Sequence, residues 1–169
     1  HHFILSDSNI DKADSNFKMN PPLRSEEDVK AIIKGLKDGT IEVISTDHAP
    51  HSQEEKALNF EESPFGIVGL ETSASLTYTA LVATDILSPL EMAAKMSYNP
   101  AKILGMDNQY GRLEEDMIAD IAIYNPNVED IIDVDKFASK GKNTPFNQKI
   151  VVGRVEYTIY GGQIVHQAV

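Results

Sequence analysis

Cysteine is absent from the 169 residues, which excludes disulfides and thiolate metal sites. That absence says little about compartment, although a cytoplasmic enzyme fits it. Positive charge is scarce: 15 Lys and Arg stand against 26 Asp and Glu, for a net charge of −11. Phosphate binding needs clustered basic residues, so no nucleic-acid partner is expected; acidity by itself more often serves solubility. No apolar run approaches the roughly 18 to 20 residues of a membrane-spanning helix, so no membrane partner is expected either. The opening His1-His2-Phe3-Ile4-Leu5 lacks the basic flank and the apolar length of a signal peptide. Internal repeats and low-complexity stretches are also missing. What is present is an ordinary globular composition, with 41% hydrophobic residues, enough to argue against disorder and to fill the core of one domain. His1-His2 reads as a tag remnant or as the middle of a strand-to-loop segment, and a fragment is the expectation.

Residues 1–24 are polar and close on Pro21-Pro22, which forbids a helix there. Ser25-Glu26-Glu27-Asp28 supplies an N-cap and first-turn acids. Val29, Ile32, Ile33 and Leu36 then recur at helical spacing until Gly39, predicting an amphipathic helix over 26–38. Ile41-Glu42-Val43-Ile44-Ser45 is short and β-branched, as expected of a buried parallel strand. Helix, turn and strand in that order form an α/β repeat unit. Residues 50–69 make a loop long enough to suggest function. Leu70 to Thr84 is helical in pattern. Ser88-Pro89-Leu90-Glu91 starts another helix to about Met96, and Asn99-Pro100 opens a short one ending at Gly105. From about residue 108 the texture becomes β: runs at Ile118–Tyr124, Ile150–Val152, Arg154–Tyr160 and Gln163–His166, the last two joined by Gly161-Gly162 as a hairpin turn.

Thr46-Asp47-His48-Ala49-Pro50-His51 follows the expected strand, and parallel α/β folds gather active sites at the carboxyl ends of strands. A carboxylate there can ligate a divalent metal and shuttle a proton. Spacing alone leaves a second reading open, in which Asp47 is an N-cap and the two histidines lie on the surface. His51 stands past a proline and need not share a metal with Asp47.

Several stretches, in order, resemble the dihydroorotases of the amidohydrolase superfamily. They are His1-His2-Phe3-Ile4-Leu5, Lys18-Met19-Asn20-Pro21-Pro22-Leu23-Arg24, Asp38-Gly39-Thr40-Ile41 leading to Ser45–His51, and Phe65-Gly66-Ile67-Val68-Gly69-Leu70-Glu71-Thr72. Asn99-Pro100-Ala101 and Ala119-Asp120-Ile121 resemble more general superfamily elements. The resemblance covers nearly the whole chain, and the NPPLR and TDHAPH pair is its specific part. It departs at Gly111–Asp116, where the superfamily usually has a glycine near 115 or 116 and this chain has acids.

The resemblance implies an α/β fold: the C-terminal part of a (β/α)8 TIM-type barrel over 1–108, then strands of a small β-sandwich-like unit over 109–169. It implies a zinc-dependent cyclic amide hydrolase that interconverts dihydroorotate and N-carbamoyl-L-aspartate in de novo pyrimidine synthesis. Asp47 would be both metal ligand and catalytic acid/base. Asn20 and His51 would bind substrate, with the Pro64 and Gly66 backbone against its ring. His48, Arg24 and the His1-His2 pair would support the site from outside, and His166 would be exposed. One or two Zn2+ ions serve the complete site, and most of their ligands would belong to an N-terminal half outside this sequence, leaving the chain inactive alone. A homodimer, or association with aspartate carbamoyltransferase, is compatible with the family. Two competing expectations stand beside this one: a dihydropyrimidinase- or allantoinase-type hydrolase, and a non-catalytic dihydroorotase-like scaffold subunit.

Overall fold

A computed structural model describes residues 1–168 and divides them into two compact units. The first comprises His1–Asp38, Thr46–Ser73 and Ile131–Ile150; the second comprises Gly39–Ser45, Ala74–Asp130 and Val151 onward.

The main helix of the first unit, α1 (Glu26–Asp38), has the boundaries the sequence predicts. Ser25 Oγ accepts the Asp28 amide at 3.3 Å, and Gly39 ends the helix at φ +85°. Glycine meets that left-handed geometry without a Cβ penalty. Val29 and Leu36 on its inner face are buried, as are Met19, Leu23, Ile67, Val68, Ile132 and Phe146 from the same unit. The long loop after Pro50 contains one helical turn, α2 (Gln53–Lys56), fastened by a Ser52–Glu55 capping box. Ile67 and Val68, 2% exposed each, sink the far end of that loop into the core. Glu71 reaches forward to the later segment, its carboxylate accepting the amides of Ala138 at 2.7 Å and Ser139 at 3.0 Å.

The second unit is helical and then β. Helix α3 (Ser73–Thr77) widens into a π segment at Tyr78–Val82, ending near the expected Thr84. Helix α4 (Pro89–Ala93) opens on the predicted capping box of Ser88 and Glu91. The expected break before Asn99 does not occur: α4 runs through a π segment at Ala94–Tyr98 into α5 (Asn99–Ile103) without leaving helical backbone. Pro100 has no N–H to offer the preceding turn, and a widened turn absorbs that loss where a break was expected.

The predicted buried strand at Ile41–Ser45 is corrected. That segment is not part of a strand, and all five residues are half-buried or exposed. A parallel strand needs neighbours to complete its ladder. Its backbone bonds go elsewhere: Lys95 Nζ donates to the Ile41 carbonyl at 2.7 Å, Asn99 Nδ2 to that of Glu42 at 2.7 Å, and Ile44 N to the Lys95 carbonyl at 3.1 Å.

Three strands, β1 (Ile121–Ile131), β2 (Ile150–Tyr160) and β3 (Gln163–Gln167), form one sheet in that order. Strand β1 starts later than expected and runs further, through Pro126, which an outer strand tolerates because one side of its backbone needs no partner. The two runs at Ile150–Val152 and Arg154–Tyr160 form one strand. Gly153 sits inside it at φ +78°, where a Cβ would overlap the Tyr124 phenol. Strands β2 and β3 pair antiparallel, with Tyr160 opposite Gln163 across the Gly161-Gly162 turn and an irregularity after Thr158. His166 is exposed on β3, as expected. Where acids stand in place of the superfamily glycine, Asp116 adopts φ +69°. That left-handed geometry is one aspartate accepts more readily than most residues.

Candidate active site

The segment from Thr46 to His51 is held by hydrogen bonds within the first unit. Asp47 opens it at φ +48° with an exposed side chain. His48 Nδ1 accepts the backbone amides of Gly69 at 3.1 Å and Leu70 at 3.4 Å. A ring nitrogen that accepts carries no proton, so this contact selects the Nε2–H form of His48. Ala49 N donates to the Ile67 carbonyl at 2.9 Å. His51 Nε2 donates to the Phe65 carbonyl at 2.9 Å, and its Nδ1 lies 3.7 Å from Glu55 Oε2. Hydrogen bonds from the Ser52 backbone and hydroxyl, aided by His51, hold the exposed Glu55 carboxyl below its ordinary value.

Gly66 lies where these contacts converge. Its φ is +118°, and a Cβ there would stand 2.5 Å from that of Ala49. Only glycine lets the two backbones approach so closely. The Gly66 amide donates to the Lys18 carbonyl at 3.0 Å, which ties the Lys18–Arg24 loop to the same cluster. Asn20 is exposed on that loop, and its bond to Pro21 is cis. Lys18 Nζ donates to the carbonyls of Glu61 and Ser63, both at 2.7 Å, and lies 4.6 Å from the centre of the Phe65 ring. Lys56 Nζ donates to the Pro64 carbonyl at 3.0 Å. Burial lowers the Lys56 ammonium, Asp14 partly restores it, and Lys18 lowers it again.

Asp47, His51, Pro64, Gly66 and Asn20 thus share one unit, and bonds between their segments bring three stretches of sequence together. Arg24 pairs at 3.5 Å with Asp28, both side chains being exposed. The rings of His1 and His2 lie 4.2 Å apart, tilted by 54°. Burial lowers the His2 imidazole, joined by the terminal amine and partly opposed by Asp47.

The sequence reading missed a buried residue that makes four bonds here. Asn143, 5% exposed, accepts the His51 amide through Oδ1 at 3.0 Å. Its Nδ2 donates to the carbonyls of Ala49 at 3.0 Å and Gly66 at 3.1 Å. Its own carbonyl accepts the Val68 amide at 2.9 Å. No motif or spacing in the sequence marks it.

Among the described residues no group of three or more His, Asp or Glu side chains could hold a metal ion. A catalytic zinc commonly needs about three protein ligands. These residues do not fit such an ion by themselves. No helix among the described residues is long and apolar enough to cross a membrane.

The dihydroorotase of Pelotomaculum thermopropionicum is 48% identical over 167 residues, 99% of this chain and 39% of that protein. That of Clostridioides difficile is 49% identical over 168 residues, with the same two shares. The chain therefore spans about 39% of the length of these curated relatives. Among solved structures, an L-hydantoinase (dihydropyrimidinase) from Arthrobacter aurescens is 27% identical with a TM-score of 0.92, over 98% of this chain and 38% of that one. A D-hydantoinase (dihydropyrimidinase) from Thermus sp. is 26% identical with a TM-score of 0.89, over the same shares. These likenesses agree with α/β content and an amidohydrolase fold. Residues 5–165 match the family description itself, and the chain belongs to the amidohydrolase family.

Proposed function

We propose that the complete enzyme is a cytoplasmic dihydroorotase, interconverting dihydroorotate and N-carbamoyl-L-aspartate, and that this chain supplies its acid/base and part of its substrate pocket. In this reading residues 1–108 are the last part of a (β/α)8 barrel and 109–169 the C-terminal share of a small β-rich unit. One observation carries it: the bonds that lace His48–His51 to Phe65–Leu70, and Gly66 to Lys18, gather the expected site residues in one unit. The identity of 48% to a dihydroorotase against 27% to an L-hydantoinase favours dihydroorotate over hydantoin.

A ring amide is a poor electrophile, and zinc, one or two ions per complete site, would polarise its carbonyl and supply hydroxide near neutral pH. Asp47 would donate one carboxylate to that metal, the other ligands coming from the N-terminal half of the enzyme. Asp47 would accept the proton of that hydroxide and return it to the departing amide nitrogen. Its exposed position leaves it free to meet a substrate. Asn20 presents its amide edge to the ring, and the Pro64 and Gly66 backbone lies against it. His51 donates to a substrate carboxylate. Its Nε2–H is engaged by the Phe65 carbonyl in this structure, so binding through that nitrogen exchanges one acceptor for the other.

Asp47→Asn in the complete enzyme tests the reading. General acid–base groups contribute roughly 100- to 10,000-fold, so turnover of dihydroorotate should fall within or below that range. Near-normal turnover would remove Asp47 from the chemistry. Parent activity on hydantoin or allantoin, with none on dihydroorotate, would shift the assignment to the hydantoinase side of the family. A parent inactive on all three would fit a scaffold subunit.

A further inference from the structure

We infer that Asn143 is a positioning residue that sets the separation of the two substrate-facing loops, and that it acts through His51 and Gly66. The inference rests on the substrate-binding roles proposed for those two residues. A carboxamide offers one acceptor and two donor hydrogens. Here the acceptor takes the His51 amide, and the amide nitrogen donates to Ala49 on the first loop and Gly66 on the second. One side chain therefore spans both loops, and the Asn143 carbonyl adds a fourth bond to Val68.

Burial makes the arrangement specific. Water has little access to a side chain 5% exposed, so removing the carboxamide leaves the Ala49 and Gly66 carbonyls and the His51 amide without the partner they now have. The geometry is also selective for asparagine. Aspartate would set an anionic oxygen against two carbonyl oxygens, and leucine would offer neither donor nor acceptor. The neighbouring segment makes further contacts. Glu71 holds the amides of Ala138 and Ser139, and Gly141 lies against Pro50, where a Cβ would come within 2.7 Å of the proline's own. Asn143 is thus presented to the loops from a braced segment.

The test uses the complete enzyme with Asn143→Ala, Asn143→Ser, and Ile132→Ala as a control. Ile132 is buried in the same unit and far in sequence from both loops. Two readouts are taken on protein that remains folded. Amide hydrogen exchange at His51 should quicken by about tenfold in Asn143→Ala, the loss of roughly one hydrogen bond. The KM for dihydroorotate should rise by about tenfold or more, since small displacements of binding groups carry large kinetic costs, while kcat changes less than KM. Asn143→Ser, the milder change, serves if the alanine variant does not fold. Ile132→Ala should lower the Tm and leave KM and His51 exchange unchanged.

Unchanged His51 exchange in the folded Asn143 variants would overturn the inference. So would faster exchange with an unaltered KM, or an equal rise of KM in the Ile132 control. A parent enzyme that does not turn over dihydroorotate would overturn the functional reading instead, and the exchange measurement would still judge whether Asn143 holds the loops.

Discussion

Asp47, Asp85, Asp116 and Gln148 all adopt positive φ without being glycine. Left-handed backbone costs most residues roughly 1 to 2 kcal/mol, with aspartate and asparagine the usual exceptions. At Asp47 that choice places the carboxylate at the start of the loop while His48 and Ala49 bond to the second loop. It also makes Asp47→Asn a cleaner probe than Asp47→Ala, since asparagine tolerates the same backbone. Tyr124 is the other residue with a sharp consequence. Its hydroxyl donates to the Val152 carbonyl at 2.8 Å, and its ring lies 5.1 Å from that of Tyr78. Burial, with Tyr78 adding to it, pushes its phenol well above the ordinary value of 10.0. The unfolded chain therefore gives up this proton at lower pH than the folded one. Stability from this group is complete below pH 10 and declines as pH rises beyond it. Urea unfolding of Tyr124→Phe should show a shallower alkaline loss than the parent, and a loss of about 1 kcal/mol at neutral pH from the missing hydrogen bond. Parallel alkaline slopes would rule out this linkage.

At the scale of elements, the loop from Leu58 to Gly66 depends on two ammonium groups. Lys18 holds the carbonyls of Glu61 and Ser63, Lys56 holds that of Pro64, and the Ser15 hydroxyl in turn donates to the Lys56 carbonyl. A loop secured this way has little apolar anchoring before Ile67, and loops with few buried contacts open easily. Lys18→Met keeps the aliphatic stem and removes both bonds. Limited proteolysis should then cut the exposed Leu58–Glu62 stretch about tenfold faster than in the parent; equal rates would show that Lys18 does not hold the loop. The sequence announces such elements unevenly. Helix α1, the Ser88 capping box and the Gly161-Gly162 turn are legible because each is decided by residues within a few positions of one another. The strand expected at Ile41–Ser45 is not, because strand formation depends on a neighbour that local composition cannot supply. The run through Asn99-Pro100 misleads for a related reason, since a π turn carries no composition of its own. In the site, Asp47 and Gly66 announce themselves through motif and glycine, whereas Asn143 has only its distant partners to identify it.

At the scale of the whole molecule, the described residues hold the proposed acid/base and the proposed binding groups but no cluster able to bind a metal. The 169-residue chain, equilibrated with zinc and then freed of excess by gel filtration, should retain no more than roughly a tenth of an equivalent, as fits one candidate carboxylate where about three ligands are needed. Stoichiometric zinc would contradict the division of ligands proposed above. The bonds of Asn143 carry a further consequence, in time. Its partners His51 and Ala49 precede it by 92 and 94 residues. At synthesis rates of 5 to 20 residues per second, the Asp47 loop is made roughly 5 to 20 s before the side chain that fastens it exists. Closing so long a stretch also carries an entropic cost before any contact offsets it. The proposed site therefore cannot take its final shape until Asn143 has been made, and a nascent chain passes through an interval in which the site is encoded but not yet assembled.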